Sequence, residues 1–213
     1  MKNLLTVALL GLACVCFAGE TKLKVSGKSG LRGTGTLVNR IQEDGSKYVQ
    51  LTLELRSADG QIVTIIQESV YDKRGFPIRK LQSATSPGGS KQTIIATFDS
   101  TGVNLEIRSA GERGTGRVER PIGKPIAAKS EFWFIRDKIP AGGRTTFFRF
   151  DLQTRTWVET VVVYMGERTI TVNGRQVKTH LVMYDKTKAW VDDEGDPVRI
   201  ELRDSGTVLE RVD

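Results

Sequence analysis

Cysteine is nearly absent from this chain. Its two copies, Cys14 and Cys16, both fall in the first 18 of 213 residues. Once that segment is removed no thiol is left. A disulfide, a thiolate metal site and a cysteine nucleophile are then excluded, and an exported domain without staples depends on its core. Histidine is as scarce, with His180 alone. Neither G-x-S-x-G nor S-x-x-K occurs, so no nucleophile with its base is recognisable and no catalytic residue is expected. His180 shares a strand face with Val182 and Tyr184 and reads as a packed or hydrogen-bonded residue. Apolar runs are missing beyond Leu4–Ala13, which leaves no spanning segment in the mature chain.

What stands at the start is a leader. Met1-Lys2-Asn3 supplies one positive charge, Leu4–Ala13 an apolar core, and Cys16 and Ala18 small residues before a cut. This is the pattern of a secretory signal peptide over residues 1–18, with a periplasmic or secreted destination. Lipidation at Cys14 is the alternative; Gly11 stands where a lipobox has Leu. The formal net charge is +7, with a basic middle and an acidic end. Nucleic acid is a poor partner for an exported chain. The charge suits either a solvated surface or an anionic envelope component.

The rest, residues 19–213, reads as one all-β domain. The clearest alternation sets Val49, Leu51, Leu53 and Leu55 against Gln50, Thr52, Glu54 and Arg56, which is a half-buried strand. Asp59-Gly60 and Asn173-Gly174 are hairpin turns. Strands are expected at Thr21–Lys28, Thr36–Ile41, Ile62–Tyr71, Ile78–Gln82, Thr93–Phe98, Val103–Ile107, Thr145–Leu152, Thr156–Met165, Thr169–Val172, Gln176–Tyr184, Ala189–Val191, Val198–Leu202 and Thr207–Val212. Ser83–Lys91 reads as a flexible loop. Gly111–Gly123, with Pro121, reads as a connection or an irregular edge strand. So many short-linked strands imply an antiparallel meander that must curl into a large curved sheet or half-barrel.

A motif recurs. Asp72-Lys73-Arg74-Gly75-Phe76-Pro77-Ile78-Arg79 and Asp192-Asp193-Glu194-Gly195-Asp196-Pro197-Val198-Arg199 both read D-x-x-G-x-P-[I/V]-R. It suggests two related halves, about 19–110 and 140–213. The acidic group Asp192, Asp193, Glu194 and Asp196 resembles an oxygen-rich calcium site. The earlier copy keeps only Asp, Gly, Pro and Arg, so a turn is the better reading and no metal or cofactor is expected. Ser26-Gly27-Lys28-Ser29 ends like a phosphate loop, but Lys22 occupies the place of the required glycine.

Residues 129–138 break the alternation. Phe132, Trp133, Phe134 and Ile135 follow in succession, with Ser130 placed to cap a short helix and Pro140 to end it; a buried strand is the competing reading. The expected binding residues are Phe132, Trp133, Phe134, Phe148, Phe150 and Trp157. They form either a filled core or an apolar groove partly covered by 129–138 on the concave face of the sheet.

The stretches Ile139-Pro140-Ala141-Gly142-Gly143-Arg144, Phe148-Arg149-Phe150-Asp151, Val161-Val162-Val163, Gly166-Glu167, Val172-Asn173-Gly174 and Ala189-Trp190-Val191-Asp192-Asp193-Glu194-Gly195 carry a resemblance. The chain resembles uncharacterised bacterial exported β-domains, including the module preceding transglutaminase-like domains in envelope proteins. That resemblance implies a curved sheet akin to lipoprotein carriers of the LolA/LolB type. It supplies no catalytic residues. Together these readings give a noncatalytic exported protein that binds an apolar or amphipathic ligand, a lipid or acyl chain. The alternative is a structural or protein-interaction module with no small ligand.

Overall fold

Five hairpins of this protein close with one turn, and that turn explains the meander. In each, the N–H of the first residue donates to the carbonyl of the fifth, and the fourth, a glycine, donates back to the carbonyl of the first. The turns begin at Gln42, Ser57, Asp72, Ser86 and Asp192. The glycines Gly45, Gly60, Gly75, Gly89 and Gly195 have φ between 77° and 86°. This is a type I turn followed by a left-handed residue, which matches strand twist and so favours antiparallel return. Asp72 and Asp192 add a side-chain brace, accepting the N–H of Phe76 at 2.9 Å and of Asp196 at 2.8 Å. Both D-x-x-G-x-P turns also feed a bulge at the same place. Tyr71 pairs with Pro77 and Val191 with Pro197, each just after a register shift. A bulge tolerates the N–H that proline lacks.

The computed structural model describes residues 19–123, 126 and 138–212. The strands are β1 (Gly19–Ser26), β2 (Arg32–Ile41), β3 (Lys47–Arg56), β4 (Ile62–Tyr71), β5 (Pro77–Thr85), β6 (Lys91–Phe98), β7 (Gly102–Ser109), β8 (Glu112–Glu119), β9 (Arg144–Asp151), β10 (Thr156–Val172), β11 (Arg175–Tyr184), β12 (Thr187–Val191), β13 (Pro197–Leu202) and β14 (Thr207–Val212). They form one 14-stranded antiparallel sheet in the order β8-β7-β6-β5-β4-β3-β2-β1-β14-β13-β12-β11-β10-β9. Only the β1–β14 pairing joins strands distant in sequence. The sheet does not close, and β8 and β9 are its edges. The expected all-β curved sheet is therefore found. Among the described residues the sole helical element is a 3₁₀ turn at Lys28–Gly30, and none is long and apolar enough to cross a membrane. The helix expected near 129–138 falls, for 129–137, outside the described residues.

Three local expectations change. Ser83–Thr85 are strand, not loop: Ser83 and Ala84 are buried and pair with Thr93 and Gln92. Cross-strand pairing overrides a composition that is small and polar. Glu112–Glu119 is a regular edge strand. Thr156–Val172 is one strand bent at Tyr164/Gly166 by a bulge, not two.

Directly opposed residues share a face, so the register traces one face across the whole sheet. It carries Val162, Tyr184, Leu202, Leu209, Val25, Leu55, Leu53, Ile65 and Ala84, all buried. Gly35 opposes Leu53 on this face, and a Cβ there would lie 2.7 Å from the Leu53 side chain. The glycine thus makes room for the larger neighbour. The same face continues through Ile94, Ala96 and Phe98 on β6 to Val103 and Leu105 on β7.

Candidate functional site

β9 is apolar on both faces. Phe147 opposes Thr160 and lies on the core face, whereas Phe150 opposes Trp157 and points the other way. Phe150 is nevertheless only 2% exposed. It is buried against the core face of β6 and β7, in a cluster with Ile94, Ala96, Val103, Leu105 and Phe98. The two ends of the sheet therefore overlap. The back of β9–β10 packs onto the front of β6–β7, and side chains close what hydrogen bonds leave open. A strand covered on both faces loses the apolar–polar alternation.

Three rings form this seam. Phe150 meets Trp157 at 5.4 Å and 78°, and Phe98 at 5.9 Å and 86°. Phe98 and Trp157 stand 6.0 Å apart at 74°. All three contacts are edge-to-face, the arrangement aromatic quadrupoles favour.

Beside the seam opens a cleft of about 300 Å³. Phe98 and Trp157 line it, together with Phe76 from the β4–β5 turn, Pro77 and Ile78 at the start of β5, and Ile126 and Arg120. Ile126 is held by a parallel bridge to Phe148 on the β9 edge. Two acids also line the cleft, and both are committed to turns. Asp72 accepts the N–H groups of Arg74 and Phe76. Asp99 accepts those of Thr101 and Gly102, each at 2.8 Å, and pairs with Arg117 at 2.9 Å. The Arg117 guanidinium, with these donors, holds the Asp99 carboxyl far below the ordinary carboxylate range. Arg120 uses its backbone N–H on Thr101, and its guanidinium has no ion pair among the described residues. Trp157 Nε1 is buried away from the cleft and has no hydrogen-bond partner among the described residues. The cleft thus offers apolar walls and one cation that has no ion pair among the described residues.

Of the residues expected from sequence, Phe148, Phe150 and Trp157 lie together on one face of β9–β10, with Phe148 half-buried. That face is opposite the one that carries Phe147 and Val162, and it is covered because the sheet overlaps itself there. Phe150 is structural filling, and Trp157 both packs and lines the cleft. Phe132, Trp133 and Phe134 lie outside the described residues. Sequence reasoning missed Phe76, Ile78, Phe98, Arg120 and Ile126. One signal for Phe76 was available: it is where the two D-x-x-G-x-P copies differ, Asp196 standing in the other.

His180 sits elsewhere, on β11. Its Nδ1 lies 2.9 Å from the Tyr164 hydroxyl and its Nε2 lies 2.8 Å from Asp193 Oδ1. Both ring nitrogens are engaged, which holds the imidazole fixed in the sheet. Asp192 accepts from Arg211 at 2.7 Å and braces its own turn. No cluster among the described residues could hold a metal ion.

Fold and cleft together define an open, barrel-like antiparallel β protein. No protein-family model matches the chain, and no curated protein does. Among solved structures it is similar to the beta-barrel-like protein of domain of unknown function DUF1849 from Brucella abortus. The identity is 12% and the TM-score 0.57, over 91% of this chain and 94% of that one. At such identity the likeness shows the fold alone.

Proposed function

We propose that this is an exported, noncatalytic protein of the cell envelope that holds an amphipathic, anionic molecule in the seam cleft. The ligand class is a lipid or free acyl chain with an acidic head. One observation carries the reading: an apolar cleft walled by Phe76, Ile78, Phe98 and Trp157 that also has the cation Arg120 in its lining. Arg120 would neutralise the head, while Phe76, Ile78 and Phe98 cover the chain. A volume of about 300 Å³ is at the small end of ligand pockets, suited to part of one acyl chain. The resemblance to lipoprotein carriers of the LolA/LolB type agrees with this reading as an analogy of architecture. The leader sequence supports export, and N-terminal mass analysis of exported protein is expected to find a start near Gly19.

Titration with a fluorescent fatty acid tests the proposal. Wild type takes up one equivalent. Ile78→Ala trims the apolar wall at an already exposed position, and weakens binding roughly 2- to 12-fold for the loss of about 0.5–1.5 kcal/mol of apolar burial. Arg120→Gln weakens it further, and that difference shrinks in high salt. A wild type that takes up neither probe nor host lipid would overturn the proposal.

A further inference from the structure

β8 is an open sheet edge. Among the described residues it pairs only with β7, and every residue from Glu112 to Arg117 is exposed. A row of unpaired backbone groups invites another strand unless charges deny it. Here the charges select one particular strand.

The turn before β8 fixes which backbone groups face outward. Ala110 and Gly111 have φ of 48° and 87°, a two-residue turn of type I′ between the paired Ser109 and Glu112. In such a hairpin the flanking pair is hydrogen-bonded. Glu112, Gly114, Gly116 and Val118 therefore direct their N–H and C=O toward β7. Arg113, Thr115, Arg117 and Glu119 direct theirs to the open edge. A second antiparallel strand must meet those odd positions with its own outward ones, so two copies of β8 can pair only in registers two residues apart.

We propose that β8 pairs antiparallel with β8 of a second copy of this chain about a two-fold axis at Gly116, making one continuous sheet. In this register Arg113 opposes Glu119 of the other copy, and Glu119 opposes its Arg113. Slipping by two residues one way sets Arg113 against Arg117. Slipping the other way sets Arg117 against itself. Opposite charges across a strand pair stabilise it and like charges directly opposed destabilise it, so the charges reject both neighbouring registers. Arg113 and Glu119 have the exposure this needs, with side chains 66% and 73% accessible. On the other face Gly116 meets Gly116 and Gly114 meets Val118, and nothing lies within 4 Å of a Cβ built at either glycine. The axis is thus sterically clear. Ile122, 98% exposed, lies just past the end of β8, where the β7–β8 turn of the second copy would arrive. The interaction is isologous, the form of most homodimers.

A thiol placed at the axis is the sharpest test. The experiment uses the exported protein in a Cys14→Ser, Cys16→Ser background, so that any introduced cysteine is the only one. Gly116 opposes itself as a non-hydrogen-bonded pair, with Cα atoms about 4.5 Å apart, inside disulfide range. Gly116→Cys is expected to give a disulfide dimer in a glutathione buffer, while Glu112→Cys, equally exposed but far from its own copy, is not. Sedimentation of the cysteine-free protein supplies the second measurement. Arg113→Glu and Glu119→Arg each weaken the dimer about tenfold, as two symmetric like-charge contacts would. Mixing these two variants restores it, because each supplies the charge the other lacks. Thr115→Pro removes an outward donor without touching the β7 ladder, and abolishes the dimer while leaving the fold intact by circular dichroism. A protein that stays monomeric at high micromolar concentration overturns the proposal. So does equal cross-linking at both positions, or a dimer indifferent to the charge reversals.

Discussion

Phe150→Ala probes the seam, because Phe150 is buried only if the sheet overlaps itself. The register places its ring on the face of β9–β10 away from the core. In an open half-barrel that face would meet solvent, and truncation would be nearly neutral. In the overlapped sheet Phe150 is 2% exposed and touches Phe98 and Trp157. Deleting such a ring removes its transfer energy and leaves a cavity, a loss of about 3–5 kcal/mol. For a domain of this length each kcal/mol lowers Tm by about 2–4 °C, so the expected fall is roughly 6–20 °C. Phe98→Ala, at a half-buried site, is expected to cost less. The two substitutions should not add. An edge-to-face pair contributes about 0.5–1.5 kcal/mol beyond area, and that is the coupling expected from a double-mutant cycle in urea at unchanged m. A coupling under about 0.3 kcal/mol, with Phe150→Ala costing under about 1 kcal/mol, would refute the overlap.

Three further outcomes are expected. Gly195→Val puts a β-branched residue at φ +86° and is expected to destabilise by about 1–3 kcal/mol in chemical denaturation, with Gly75→Val, also at φ +86°, behaving alike. Tyr164→Phe removes the hydroxyl against His180 Nδ1, and loss of this buried partner lowers stability by about 1–3 kcal/mol. Asp196 has its carboxyl pKa raised, first by burial and then by the neighbouring Asp192 charge. A folded pKa above the unfolded one means that ionisation opposes folding. The penalty is present at neutral pH and is relieved as pH falls through the folded value toward the unfolded one. Asp196→Asn is therefore expected to raise Tm at pH 7, with no advantage near pH 3. Its amide would also have the Asn39 Oδ1, buried without a partner, within reach of its turn.

Much of this architecture is written in local chemistry. Alternation such as Val49, Leu51, Leu53, Leu55 marks strands, and Asn173-Gly174 marks a type I′ turn, with φ of 49° and 77°. The D-x-x-G-x-P copies showed two of the five related turns. Those at Gln42, Ser57 and Ser86 share the glycine but lack the initial Asp, so composition alone did not join them. The β1–β14 pairing has no local signature, since it depends on the accumulated curl of the twelve other strands. The overlap left one trace, the run Phe147-Phe148-Arg149-Phe150, which puts large rings on both faces of one strand. Read alone, it shows rings on both faces of β9; which of them face the core follows only from the register. The cleft was less legible still. Its members come from a turn, a strand end and a connection far apart in sequence, and only Trp157 belonged to a visible aromatic group.

Purifying the exported protein from its own host and identifying what it carries by native mass spectrometry bears most directly on the proposed function. The account predicts one equivalent of an acidic, acyl-bearing molecule on wild type and on Glu112→Cys, a β8-edge change remote from the cleft. It predicts loss of that molecule from Trp157→Ala and depletion from Arg120→Gln. Wild-type protein that arrives empty and stays empty when offered host lipid extract would contradict it, as would a bound lipid retained equally by all four proteins.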